Sequence, residues 1–124
     1  MSVDPPPSVD PRLTVHTNLW LEIDKQVVLS RRRVQLLEAI NEAGSIRAAA
    51  ARMKITYDLA WHRIDRMERA LGVRLVERQR GGPQGGSAHL TPEAQHYLAR
   101  FNRFAAEVDT VIARLFEQTF IEGS

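Results

Sequence analysis

No cysteine occurs among the 124 residues, which excludes a disulfide framework and any thiolate metal site. That absence suits a reducing compartment. No apolar run approaches the roughly 18 residues of a membrane-spanning helix. The opening stretch MSVDPPPSVDPR has neither the basic start nor the apolar centre of a secretory signal. A soluble, cytoplasmic protein with no membrane partner is therefore expected. Lysine is scarce, with 2 residues against 15 arginines. Arginine favours bidentate contacts to phosphate and guanine, although genomic base composition produces the same bias.

Enzyme signatures are missing as well. The run RGGPQGGS is not followed by the Gly-Lys-Ser/Thr of a nucleotide-binding loop. The histidines at 16, 62, 89 and 96 lack metal-ligand spacing. Glu93 and His96 stand three apart, an ordinary helix-surface pair. No Ser/His/Asp arrangement stands out by motif. Catalysis, a cofactor and a bound metal are all unexpected.

What is present is an uneven division of charge. Residues 31–80 hold 12 Lys or Arg against 6 Asp or Glu, a balance of +6, whereas the remainder holds 5 against 9, or −4. A basic module beside an acidic one attracts phosphate backbones. With 44% hydrophobic residues the chain can bury one core, and its small size makes pairing with a second copy favourable.

Residues 1–13 hold four prolines and no apolar period, so a disordered arm is expected. Leu19, Leu21 and Ile23 alternate, Asp24-Lys25 can turn the chain, and Gln26–Leu29 can return it as a β-hairpin. Ser30 caps a helix to about Ala43, closed by Gly44. Ser45 caps a short alanine-rich helix from Ile46 to about Lys54. Thr56 caps a third helix to about Leu71, with Ala60, Ile64, Met67 and Leu71 on its inner stripe. Val73–Glu77 and Ala88–Leu90 form a second hairpin around a loop with four glycines and a proline. Thr91-Pro92-Glu93 starts a final helix to about Phe120. The expected fold is mainly α with some β: a winged helix–turn–helix over 14–91, then a long helix over 92–121.

That long helix repeats apolar residues at 3–4 spacing, with Phe101, Val108, Ile112 and Leu115 on one row and Tyr97, Phe104 and Val111 beside it. At 1.5 Å per residue it is roughly 40 Å long, more than a small core needs. We expect these seven residues to line a homodimer interface. A helix folded wholly onto its own core is the alternative.

The second helix of a helix–turn–helix presents its N-terminal residues to base edges, and the first crosses the backbone. Tyr57, Asp58, Trp61 and His62, with Arg63 to one side, are the expected reading positions. Asp58 can accept from cytosine N4, whereas Trp61 can either touch thymine methyls or pack against the neighbouring helix. Ser45 and Arg47 begin a helix whose backbone N–H groups can hold a phosphate. Arg78 and Arg80 would supply the positive charge of the wing, with Gln84 at its tip.

The run from Leu36 to Arg78 resembles the LysR-type winged helix–turn–helix. More closely, GSIRAAAARMKITYDLAW with RGGPQGGSAHLTPEA resembles the DNA-binding domain of ModE-type molybdate-responsive regulators. The Tyr-x-x-Ala-Trp of the recognition helix and the paired-glycine wing carry that likeness over about residues 17–118. The resemblance implies a dimeric, sequence-specific regulator of transcription that binds double-stranded DNA. It places Tyr57, Asp58, Trp61 and His62 at the groove and the Arg78–Ser87 wing along the backbone, with Thr56, just before the recognition helix, also among the DNA-binding residues. Full-length ModE proteins continue into molybdate-binding domains, so a form lacking them, with its effector unknown, is expected. Asp65 stands where many LysR-type helices are basic, which weakens a phosphate contact there. Two other readings stay open: a protein-binding or accessory winged-helix module, favoured by the long apolar helix, and a small-oxyanion sensor using a dimer cleft.

Overall fold

Hydroxyl side chains begin the α-helices of this fold. The computed structural model describes residues 8–80 and 86–122. The order of elements is β1 (Trp20–Ile23), β2 (Gln26–Ser30), α1 (Arg31–Ala43), α2 (Ile46–Met53), α3 (Tyr57–Leu71), β3 (Val76–Gln79), β4 (Ser87–Leu90) and α4 (Pro92–Phe116), followed by a π-helical turn, Glu117–Ile121. The first N–H groups of a helix have no partner within it, so a side-chain oxygen just upstream stabilises the start by about 1 kcal/mol. Ser30 accepts from the Arg33 N–H at 3.1 Å, Ser45 from Ala48 at 3.0 Å and Thr56 from Leu59 at 3.1 Å. Thr91 accepts from Ala94 at 3.1 Å while donating to the Arg74 carbonyl at 2.7 Å. That second bond ties the start of α4 to the chain entering β3.

Helix ends follow the same logic. Gly44 and Gly72 close α1 and α3 in the left-handed conformation. Lys54 closes α2 at φ 59°, an uncommon conformation for a residue with a Cβ. The turn between the two helices of the motif therefore carries no glycine.

Two antiparallel hairpins flank the helices. In the first, Asp24 and Lys25 both take positive φ, which matches the twist of a two-residue turn without glycine. Leu21 pairs with Leu29 but Glu22 with Val27, so Val28 is an extra residue bulged out of the ladder. The bulge explains why neighbours Val28 and Leu29 are both buried although strand side chains normally alternate. Ile23, expected on one face with Leu19 and Leu21, is exposed.

The second hairpin pairs Val76 with Leu90 and Gln79 with Ser87. Its first strand starts three residues later than the expected Val73. The reason lies in Glu68 of α3, whose Oε2 accepts from the Leu75 N–H at 2.8 Å and the Val76 N–H at 3.1 Å. That carboxylate holds the preceding loop against the helix until the ladder begins. Gly86, at φ 106°, would put any Cβ 2.7 Å from the Gln79 carbonyl, so only glycine fits there.

Leu19–Arg103 form one compact unit. Its core is built from Leu36, Leu37 and Ile40 of α1, Ile64 and Met67 of α3, Leu75, Val76 and Phe101. Ala49 and Ala60 are also sealed, and small residues at such positions let helices approach closely. Fully burying each large side chain contributes about 1.5–3 kcal/mol. The second unit, among the described residues, takes in 8–18 and 104–122. Within it Thr17 donates to Asp109 at 3.2 Å, and the rings of Phe116 and Phe120 lie 5.4 Å apart. Asp10 accepts three hydrogen bonds from Arg12, which hold its carboxyl below the usual carboxylate range and raise the guanidinium.

Candidate nucleic-acid interface

A concavity of about 480 Å³ opens where the start of α2, the first turns of α3 and the wing strands converge. Ser45 and Arg47 come from α2, Tyr57 and Trp61 from α3, and Arg78 and Arg80 from β3 and its end. The helix caps determine this meeting: Ser45 and Thr56 begin α2 and α3, so the starts of both helices border the opening. The hydroxyls are engaged in capping the Ala48 and Leu59 N–H groups, which leaves the N–H groups of Ile46, Arg47, Tyr57 and Asp58 and the first-turn side chains as the available groups.

Two arginines stack on the two aromatics of α3. The Arg47 guanidinium lies 4.5 Å from the centre of the Tyr57 ring, and that of Arg78 lies 3.8 Å from Trp61. Tyr57 and Trp61 are four residues apart and so share a helix face. Tyr57, Asp58 and His62 are exposed, while Trp61 and Arg63 are partly covered. Asp58, Trp61 and His62 also line an adjoining groove with Asp65 and Arg69. Asp65 pairs with Arg69 at 2.9 Å, so the acidic residue draws a neighbouring cation to itself.

Arg80 is exposed at the end of the wing strand. Arg78 is turned inward, its side chain only 24% exposed, with Nη2 3.9 Å from Glu68. Its Nε and Nη2 are buried and find no hydrogen-bond partner among the described residues. Unpaired buried N–H groups cost about 1–3 kcal/mol, partly offset by stacking worth up to about 2 kcal/mol when desolvated. Gln84 lies outside the described residues.

Two further residues of this unit, Leu59 and Arg33, are marked by no motif. Leu59 is exposed beside Asp58; its position off the Ala60–Ile64–Met67 stripe was the available signal. Arg33 donates to the Val27 carbonyl. Burial, and then the charges of Arg63 and Arg66, push its guanidinium below its ordinary value. No periodicity signals that arginine cluster, because it joins α1 to α3.

The residues expected to pair two chains divide sharply. Phe101 is 3% exposed and belongs to the core of its own unit. It is not available to a partner, which corrects the expectation. Tyr97, Val108 and Ile112 are partly covered. Phe104, Val111 and Leu115 are 45%, 42% and 49% exposed. With Val108 they follow a 4–3–4 spacing along one helix face.

The family model described as bacterial regulatory helix-turn-helix protein, lysR family, matches residues 31–95, spanning α1 through the first turn of α4. The chain belongs to the LysR family. The chain is also similar to the molybdenum transport protein ModE of Azotobacter vinelandii, 37% identical over 98 residues, which are 79% of this chain and 36% of the relative. It is 34% identical over 87 residues to the DNA-binding transcriptional dual regulator ModE of Escherichia coli (strain K12), covering 70% of this chain and 33% of that one. The chain thus spans about a third of the length of these relatives. Among solved structures, the DNA-binding domain of CbnR in complex with DNA matches with a TM-score of 0.55 and 26% identity, over 69% of this chain and 93% of that one. The LysR-family architecture, a winged helix–turn–helix followed by a long helix, is the one described above. Its ModE-like character lies in the helix–turn–helix segment.

Proposed function

We propose that this chain acts as a dimeric, sequence-specific DNA-binding regulator of transcription in the cytoplasm. One observation carries the reading: a single concavity gathers the start of α2, the Tyr57–Trp61 face of α3 and Arg80 of the wing. A helix fits the major groove, where each base pair displays its own donor and acceptor pattern. In this reading Tyr57, Asp58, Trp61 and His62 meet base edges. Arg47, Arg63, Arg80 and the N–H groups above Ser45 and Thr56 hold phosphates. Gln84 would extend the wing contact, and Arg78 acts from behind the surface. Residues 14–91 would serve as the reading part and 92–121 as the pairing helix; of the expected arm over 1–13, residues 1–7 lie outside the described residues.

The row of exposed Phe104, Val111 and Leu115 with partly covered Val108 supports pairing of two copies through α4, which would present two recognition helices to a palindromic site. The relatives' names and the CbnR–DNA complex support double-stranded DNA as partner. They give no ground for catalysis, and no group of residues suited to a metal occurs among the described residues.

The test is selection of bound duplexes from a random library, followed by titration at several salt concentrations. A palindromic preference is expected, with affinity falling as salt rises at a slope of about −0.9 per phosphate neutralised. Salt-independent binding, or none, refutes the reading. Including molybdate, tungstate and sulfate in parallel selections tests whether an oxyanion alters binding.

A further inference from the structure

We infer that Arg78 is a positioning residue that sets the pose of Trp61 for base reading, and is not itself a phosphate contact. This inference rests on the DNA-binding function proposed above. Three observations carry it. The Arg78 guanidinium lies 3.8 Å from the centre of the Trp61 ring, within the range of a stacked cation. Its Nε and Nη2 are buried without a hydrogen-bond partner among the described residues and its side chain is only 24% exposed, so two of its three nitrogens are turned away from a phosphate in this arrangement. Its other neighbour is Glu68, whose Oε1 stands 3.9 Å from Nη2.

Glu68 and Trp61 both belong to α3, and Arg78 belongs to β3. The Glu68 Oε2 holds the N–H groups of Leu75 and Val76 at the entrance to that strand. The wing is therefore fastened to the recognition helix twice, by Glu68 toward the C-terminal half and by the Arg78–Trp61 stack toward the reading end. A shift of the wing moves Arg78, and with it the indole beside Tyr57. Sequence preference then depends on a strand residue that touches no base.

The test starts from the Trp20→Phe variant, which leaves Trp61 as the sole tryptophan. In this background Arg78→Gln and Arg78→Lys are compared with the unsubstituted residue, folding being checked by circular dichroism. In the free protein, Arg78→Gln is expected to shift Trp61 emission to the red as its face opens to water. On DNA, both substitutions should lower the affinity ratio of preferred to scrambled duplex by roughly tenfold, leaving the salt slope unchanged. Lysine retains charge but not the flat face, so it should not restore the ratio. In a Trp61→Leu background, Arg78→Gln should have no further effect on the ratio, because the two act as one unit.

A salt slope reduced by about 0.9, full rescue by lysine, unchanged emission, or an equal loss in both backgrounds would each overturn the inference. Should Arg78→Gln fail to fold, Arg78→Lys supplies the same emission, slope and ratio measurements. Failure of the Trp20→Phe parent and of the native chain to bind any duplex refutes the DNA-binding reading instead, and the emission shift still reports the stack.

Discussion

Helix α3 and the part of α4 beyond Arg103 are both amphipathic, yet their apolar faces meet opposite fates. Ala60, Ile64 and Met67 of α3 are completely buried, whereas Phe104, Val111 and Leu115 of α4 remain 42–49% exposed. A monomeric soluble surface rarely gathers such a row of large apolar side chains. The periodic signal is the same in the two helices. What differs is whether the chain supplies a cover. The polar faces differ too: the outer face of α3 carries aromatics clamped by arginines, and α4 carries no comparable arrangement among the described residues.

The largest effect that would sharpen this contrast is expected from Met67→Ala, which opens a cavity in a sealed core. It should lower unfolding stability by about 2–5 kcal/mol, measured by chemical denaturation. A change below 1 kcal/mol would mean the core collapses around the site. Val111→Glu, on the uncovered face, should instead leave a monomer that is still folded. Pairing should weaken by about 2 kcal/mol or more, read by light scattering across a concentration series, and an unaltered oligomeric state would remove α4 as the pairing element.

Two smaller effects probe the polar face of α3. His62→Ala or Tyr57→Phe should change the preferred duplex at one position by about 1–3 kcal/mol, while Arg80→Ala should weaken all duplexes alike and reduce the salt slope by about 0.9. Uniform loss from His62→Ala, or altered preference from Arg80→Ala, would erase the division between reading and holding. Smallest of all, Ser45→Ala should cost about 1 kcal/mol of stability through the lost Ala48 cap, seen as a lowered thermal midpoint. No change would show that water or another group replaces the hydroxyl.

Features governed by neighbours in the chain were legible from the residues alone. Ser30, Ser45, Thr56 and Thr91 cap the helices they were expected to cap, and Gly44 and Gly72 end theirs. The inner stripe of α3 is buried where its period placed it, apart from the partly covered Leu71. Features needing a partner distant in sequence were not. Val28 bulges so that two successive side chains reach the core, Glu68 delays β3, and Phe101 is drawn into the interior of its own unit. Arg78 illustrates the same limit within the candidate site. Its position beside a glycine-rich loop suggests wing charge, but the register of β3 with β4 and the reach to Trp61 turn it inward.

The sequence by itself determined where each helix begins, which face of each is apolar and where the basic charge concentrates. These follow from hydrogen bonds and periodicities spanning three or four residues. Only the tertiary structure decided which arginines face outward, which aromatics they stack on and which part of the apolar row on α4 stays uncovered. Those outcomes depend on residues far apart in the chain competing for the same volume, and no local pattern records who wins.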